Sequence, residues 1–369
     1  MIIAIAIITI LYSLLILAFC YHWRDEDNVA PSVSSDDAPL VSVIVAFRNE
    51  EKNLPTLVES LLAQSYGKLE IILVDDHSED ASMSVVQSYA DQRIKVVCSH
   101  DNISGKKAAL KLGYEKSSGE ILFFTDADCV LGSRCIENIV AKMRSENLAM
   151  ACGPVKYCDS KGFLQGIFQL EFLSLTGSGA AGFFIGKPFM CNGANLAVER
   201  KVYAEADLNT KYSSGDDVFL LHYAASKYKV DFMQNTECIV ETKAPEGLGG
   251  FLSQRIRWAS KAGGYKNPFA IFVSSLIFLM AMALMVSLVA TFICPIYFIV
   301  FACLLVMKLA VDTYFMIPVL RFYNCRKLWW AILPLTILHP VYIVSVAVAS
   351  LFYHPKWKGR KISAKPFRF

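Results

Sequence analysis

VSVIVAFRNEEKNLPTLVESLL, residues 41–62, begins as an apolar run of strand length and ends with Leu54, Leu57, Val58, Leu61 and Leu62 at helical spacing. The pattern repeats downstream. LEIILV at 69–74 precedes a helical stretch near 81–90, residues 94–98 precede another at 106–116, and residues 120–125 close the series. Strands alternating with helices predict an α/β fold, a Rossmann-like, mostly parallel sheet covered on both faces. Ligands of such sheets bind beyond the carboxyl ends of the strands. Asp75-Asp76 and Asp126-Ala127-Asp128 stand at two of those ends, so acidic groups distant in sequence are expected to share one crevice.

The two ends of the chain are of another character. Residues 1–20, MIIAIAIITILYSLLILAFC, carry no charged side chain and match the roughly 20 apolar residues that span a bilayer. No basic segment precedes them and Ala18-Phe19-Cys20 is only a marginal cleavage site, so residues 1–22 are expected to be an anchor rather than a cleaved signal. Residues 23–39 form a polar linker. Between Pro268 and Pro318 the only charges are Lys308 and Asp312, which leaves space for two spans broken near Cys294-Pro295; a third apolar stretch runs over 328–353. One N-terminal and about three C-terminal membrane helices (268–353) thus flank a domain of residues 40–267, and a basic tail follows at 354–369.

Arg255, Arg257, Lys261 and Lys266 precede the second apolar segment, which by the positive-inside rule places the central domain in the cytoplasm. The basic tail asks for the same side, although three full spans would carry it across. Pro334 and Pro340 allow a re-entrant last segment. The total charge of +3 points to no nucleic-acid partner. The eleven cysteines show no C-x-x-C pair and read as reduced, buried thiols. Residues 163–190 are apolar, aromatic and Gly-rich, and either lie on a membrane or acceptor surface or form a buried core segment; Gln169, Glu171 and the glycines argue against a span.

A handful of polar residues can carry chemistry. Asp126 and Asp128, on an extended chain, would point the same way, and a hard divalent ion that bridges phosphates needs one or two such carboxylates. Asp75 or Asp76 can accept hydrogen bonds from a nucleobase or ribose, or simply close a turn. Gly105-Lys106-Lys107 opens a helix whose start suits a phosphate. Asp216 and Asp217 precede an apolar helical run; two adjacent carboxylates raise one pKa, as a general base requires, and Asp217 is the candidate base. Gln254, Arg257 and Trp258, at i, i+3 and i+4, share one helix face and either anchor at a membrane surface or hold an acceptor and a leaving diphosphate.

The motifs VSVIVAFRNEEKNL, EIILVDDHSED, GKKAAL, FFTDADCV, CNGANLAV, GDDVFL and QRIRW, in this order between Val41 and Trp258, resemble those of the membrane-bound family 2 glycosyltransferases, ceramide-glucosyltransferase-like and polysaccharide-synthase-like members included. The resemblance implies a GT-A fold and inverting sugar transfer from a nucleotide sugar, a UDP-sugar by preference, with Mg²⁺ or Mn²⁺. It implies Ala46, Arg48 and Asp76, with Asp75, around the base. Lys106 would lie near the diphosphate, Asp126 near the ribose and Asp128 at the metal. Asn192 and Asn195 would lie near acceptor and donor sugar, Asp217 would be the base, and Gln254, Arg257 and Trp258 would close the site. Asp216 departs from the glutamate common in the family. A lipid-linked or glycan acceptor at the membrane is expected. The alternatives are a processive polysaccharide synthase and a nucleotide-sugar-binding membrane protein without catalysis.

Overall fold

A computed structural model describes residues 1–24, 38–99, 105–158, 161–208 and 215–352, and the backbone of 356–357 and 360–361. Most of the linker, Ser214 and most of the basic tail lie outside the described residues. Two compact units result. One comprises Asp25–Cys158, Met190–Lys243 and His354–Phe369; the other comprises Met1–Arg24, Asp159–Phe189 and Ala244–Tyr353. The stretch 40–267 is thus shared, because residues 159–189 and 244–267 cluster with the apolar helices.

Ten strands of the first unit build its two larger sheets: β1 (Val41–Phe47), β2 (Leu69–Asp75), β3 (Ile94–Cys98), β4 (Ile121–Phe124), β5 (Cys129–Val130), β6 (Met150–Cys152), β7 (Val155–Tyr157), β8 (Leu196–Glu199), β9 (Val230–Phe232) and β10 (Val240–Thr242); Lys356–Trp357 and Arg360–Lys361 pair separately. Seven of them form one sheet in the order β3-β2-β1-β4-β8-β6-β9. β3, β2, β1 and β4 run parallel, β8 is antiparallel to both neighbours, and β6 pairs with β9 in parallel. β5, β10 and β7 make a second, three-stranded sheet. Every residue of β1, β2 and β4 is buried, as continuous apolar runs require in a sheet covered on both faces. The helix Lys106–Lys116 packs on β1 and β2. A Cβ on its Gly113 would come within 2.5 Å of Ile44 Cγ2, so only glycine permits that approach.

The reversal at β8 decides what the sheet can carry. Leu196 pairs with Phe124, so the start of β8, after Asn192–Asn195, lies beside the end of β4, just before Asp126.

At the opposite edge Glu70 is buried, accepting from Ser42 Oγ at 2.6 Å, Ser118 N at 2.5 Å, Gly119 N at 3.1 Å and Lys95 Nζ at 2.6 Å. Burial pushes this carboxyl up, but the bonds from Lys95, Ser42 and Ser118 outweigh it and hold the pKa at about 2. The depressed value means stability that is full above the unfolded pKa of roughly 4.3 and is lost as pH falls toward 2, worth about 2–3 kcal/mol. Glu70→Gln should therefore be destabilised by about that amount at pH 7, and the gap to wild type should close below about pH 4. Denaturant unfolding at several pH values checks this; a gap that ignores pH would show that the carboxylate charge is not the source.

Among the described residues of the second unit four helical segments are long and apolar enough to cross a membrane: Ile2–Tyr21, Pro268–Ala290, Ile296–Phe322 and Arg326–Leu351. The last begins with a 3₁₀ turn at Arg326–Ala331 and continues as α-helix through Pro340. The break between the second and third falls at residues 291–295, around Cys294-Pro295. Lys308 is buried and pairs with Asp312 one turn on. Tyr12 of the N-terminal helix donates to Asp312 Oδ1 at 2.6 Å and accepts from Lys308 at 3.2 Å. These three polar groups tie that helix to Ile296–Phe322.

The Gly-rich stretch becomes the helix Phe163–Phe184, with Gln169 and Glu171 buried along it. The buried-segment reading describes it. Its Gly177 faces Val319, where an added Cβ would stand 2.8 Å from Cγ2, so the glycine gives the neighbouring helix its close approach. All eleven cysteines are free of disulfides; Cys129, Cys135, Cys152, Cys238 and Cys325 are buried, whereas Cys98, Cys294 and Cys303 are exposed.

Candidate active site

Parallel pairing puts the ends of β1, β2 and β4 on one edge of the first unit. The residues there are held by a short segment at the start of the helix Lys106–Lys116. Gly105, at φ 109°, donates its amide to both oxygens of Asp76 at 3.0 Å. Lys106 is paired with Asp126, and Lys107 Nζ lies 3.3 Å from Asp216 Oδ1. Asp217, next to Asp216, accepts from Gly193 N through Oδ2 at 3.1 Å and from Val218 N through Oδ1 at 2.9 Å. Gly105-Lys106-Lys107 thus touches each of the three acidic stations, which lie at residues 75–76, 126–128 and 216–217.

Individual positions refine the expectations. Ala46 is buried in β1, paired with Val74. Arg48, also buried, donates to the carbonyls of Asp76 (2.9 Å) and His77 and to Glu79 (2.7 Å), so it shapes the loop after β2. Asp75 closes the turn, accepting from Ser78 N at 3.1 Å. Asp76 is fully buried, and its oxygens are directed at Gly105. Two buried nitrogens on these loops, Arg48 Nε and His77 Nε2, lack a hydrogen-bond partner among the described residues. A polar ligand at this edge could satisfy them.

Asp126 and Asp128 do not share an extended strand. Cys129 N bonds Asp126 O at 3.1 Å, and Ala127-Asp128 form a turn before β5. The alternation argument fails there because a turn, not a pleat, sets the side-chain directions. The two carboxylates still feel one another. Burial, then the charges of Asp126 and Glu50, raise the Asp128 carboxyl to about 6 against the opposing charge of Lys106. Glu50, just beyond β1, is a residue that sequence reasoning does not single out; its one signal is an acidic side chain shortly after a strand end.

Among the described residues no group of three or more His, Cys, Asp or Glu side chains is arranged to cage a metal ion. An ion that keeps its waters and bridges phosphates asks for less, one or two carboxylates, and Asp128 with Asp126 supplies them, although Lys106 is paired with Asp126.

At the start of β8, Asn192 Oδ1 accepts from Ala194 N at 3.0 Å. Asn195 is fully buried and its amide bridges the carbonyls of Pro154 (3.0 Å) and Cys238 (2.8 Å). Asn195 therefore locks loops, and Asn192 shapes the turn that offers Gly193 N to Asp217. Burial first raises the Asp216 carboxyl, with the charge of Lys107 opposing and that of Asp217 adding to the rise.

Gln254, Arg257 and Trp258 lie in the second unit, on the helix Gly247–Ala259. Arg255, between them, is buried against Glu171. Nothing along the chain signals that pair, because Arg255 reads as one of several basic residues before an apolar segment.

Residues 42–205 match the family model of glycosyl transferase family 2. They form a family 2 glycosyl transferase domain. Similar sequences include an uncharacterized glycosyltransferase of Haemophilus influenzae, 33% identical over 126 residues, covering 34% of this chain and 50% of the relative. An N-acetylglucosaminyltransferase of Neorhizobium galegae is 28% identical over 237 residues (60% and 54%), and a hyaluronan synthase of Streptococcus pyogenes 23% over 238 residues (60% and 56%). The chain spans about half the length of these curated relatives. Among solved structures, a mannosyltransferase from Pyrobaculum calidifontis, in complex with GDP-Man and Mn²⁺, superposes with a TM-score of 0.61 at 20% identity over 95% of this chain and 99% of that one. The glycosyl transferase domain has the GT-A fold, with one N-terminal and three C-terminal apolar helical segments in the same chain.

Proposed function

We propose that the protein is an inverting, metal-dependent glycosyltransferase that moves one sugar from a nucleotide sugar to a lipid-linked acceptor at the membrane, with its transferase domain facing the cytoplasm. The observation that carries this reading is the reach of Gly105-Lys106-Lys107 to all three acidic stations. A helix start with two lysines suits a diphosphate, and the stations around it supply the other groups a transfer needs.

Ala46, Arg48, Asp75 and Asp76 bound the base side, the last two chiefly by fixing the loop and Gly105. Lys106 neutralises diphosphate charge and Asp126 faces the ribose. Asp128 would hold Mg²⁺ or Mn²⁺, which when bound stabilises charge on the departing diphosphate. Asn192 and Asn195 shape the acceptor side, and Asp217 takes the acceptor proton. The acceptor oxygen then bonds to the anomeric carbon, the bond from that carbon to the diphosphate oxygen breaks with its electron pair, and the configuration inverts. Gln254, Arg257 and Trp258 engage the acceptor and the leaving group.

The likeness to a hyaluronan synthase supports a second reading, processive synthesis, which product length distinguishes. The test is release of nucleoside diphosphate from a panel of nucleotide sugars by the full chain in membranes. UDP-sugars come first because the family resemblance favours them, with GDP-mannose beside them because the Pyrobaculum enzyme holds it. Release should vanish with EDTA and return with Mn²⁺ or Mg²⁺. Binding of a nucleotide sugar with no release under any condition would leave a non-catalytic protein.

A further inference from the structure

Glu171 is the one charged side chain of the helix Phe163–Phe184, and the transfer chemistry above makes no use of it. A buried carboxylate persists only when paired and hydrogen-bonded. Arg255 supplies Nε at 3.1 and 2.9 Å to its two oxygens and Nη2 to Oε2; Tyr342 donates its hydroxyl to Oε1 at 2.8 Å. The other side of the guanidinium faces the motif residues. Arg255 Nη1 donates to Gln254 Oε1 at 2.5 Å, and its carbon lies 4.4 Å from the Trp258 ring centroid. Phe172, beside Glu171, has its ring 6.1 Å from that of Trp258.

We propose that Glu171, Arg255 and Tyr342 are positioning residues for Gln254 and Trp258, an inference that rests on the assignment of those two to the acceptor side. The guanidinium is a rigid plane with five donors. Once Glu171 takes the Nε/Nη2 edge, the direction of Nη1 is fixed, and with it the carbonyl end of the Gln254 amide. The same plane supports the Trp258 ring by cation–π contact. A lysine at 255 could match the charge of Glu171 but could not serve both partners in one plane.

A purely structural bridge between helices makes different forecasts, and a charge swap separates the two. Full-length protein in nanodiscs is compared as wild type, Glu171→Gln, Arg255→Lys, Tyr342→Phe and the double variant Glu171→Arg/Arg255→Glu, measuring thermal stability, nucleotide affinity, and kcat and KM for the acceptor. Misplacement of Gln254 and Trp258 should lower kcat/KM for the acceptor about 10- to 100-fold in Arg255→Lys and Glu171→Gln, with nucleotide affinity unchanged. The swap should regain stability without regaining transfer, since a carboxylate in place of the Arg255 guanidinium can neither donate to Gln254 nor lie as a cation on Trp258. Transfer restored by the swap, or normal acceptor kinetics in Arg255→Lys, overturns the proposal. Should the charge variants not fold, Tyr342→Phe decides, with a loss of about three- to tenfold expected in acceptor kcat/KM and wild-type kinetics counting against it. Asp217→Asn runs alongside: if it is fully active, the underlying functional reading fails, whereas an inactive Asp217→Asn beside a normal Arg255→Lys removes only the positioning role.

Discussion

Asp217→Asn is expected to lower glycosyl transfer by about 10²- to 10⁴-fold, the usual share of a general base, while nucleotide-sugar affinity stays near wild type. The carboxylate is oriented by two backbone amides, Gly193 N and Val218 N. Asparagine keeps the shape and can accept one of these bonds through its oxygen; its amide nitrogen meets the second donor and cannot accept. The fold should survive that single loss, but no oxygen of adequate basicity remains for the acceptor proton. Lys106, Asp126 and Asp128 are untouched by the change, so donor binding reports on them separately. Isothermal titration with the nucleotide sugar, paired with initial rates of transfer, makes the comparison. Turnover within about threefold of wild type would remove Asp217 from the role of base, given how much such a group contributes.

The parts of the site that can be read in advance are those fixed by sheet topology. β1, β3 and the helix Lys106–Lys116 have the limits expected from their apolar runs and spacing; β1 is buried throughout, as a continuous apolar run in a covered sheet requires, whereas β3 is a partly exposed edge strand. With parallel order in hand, the acidic groups at strand ends had to fall on one edge. What stays hidden depends on local turns or on contacts distant in sequence. The Asp126–Asp128 turn looks like a strand end in sequence because the turn-forming bond is backbone to backbone. β6 and β9 have three residues each, too few to show a period. The bond that Asp76 accepts from the amide of Gly105 joins residues 29 apart, so no local pattern announces it. Arg255 and Glu171 are 84 residues apart, and the helix that carries Glu171 is Gly-rich for a packing reason rather than to avoid helix.

Asp312→Ala tests the second unit, and the expected loss is about 3–5 kcal/mol of stability, the cost of leaving a buried charge without its partner. Lys308 is 3% exposed and has Asp312 and the Tyr12 hydroxyl as its polar contacts on the described helices Ile2–Tyr21 and Ile296–Phe322. Removing the carboxylate leaves the ammonium with a hydroxyl that also loses its own acceptor. Tyr12→Phe deletes a single neutral donor and should cost only about 1–2 kcal/mol. The double replacement Lys308→Met/Asp312→Leu removes both charges and fills the space with apolar groups, so it should recover most or all of the stability lost in Asp312→Ala. Unfolding of the full chain in detergent micelles, followed by loss of helical signal, orders the three variants. If Asp312→Ala is as stable as wild type, Lys308 has reached water by snorkelling along its stem, and the Tyr12–Asp312–Lys308 contacts do not hold the N-terminal helix in place. If instead the double variant is as unstable as Asp312→Ala, the contribution of the cluster lies in packing rather than charge. Only a severe single variant with a rescued double one fits an ion pair whose two halves were buried together and whose worth to the fold is that neither is left alone.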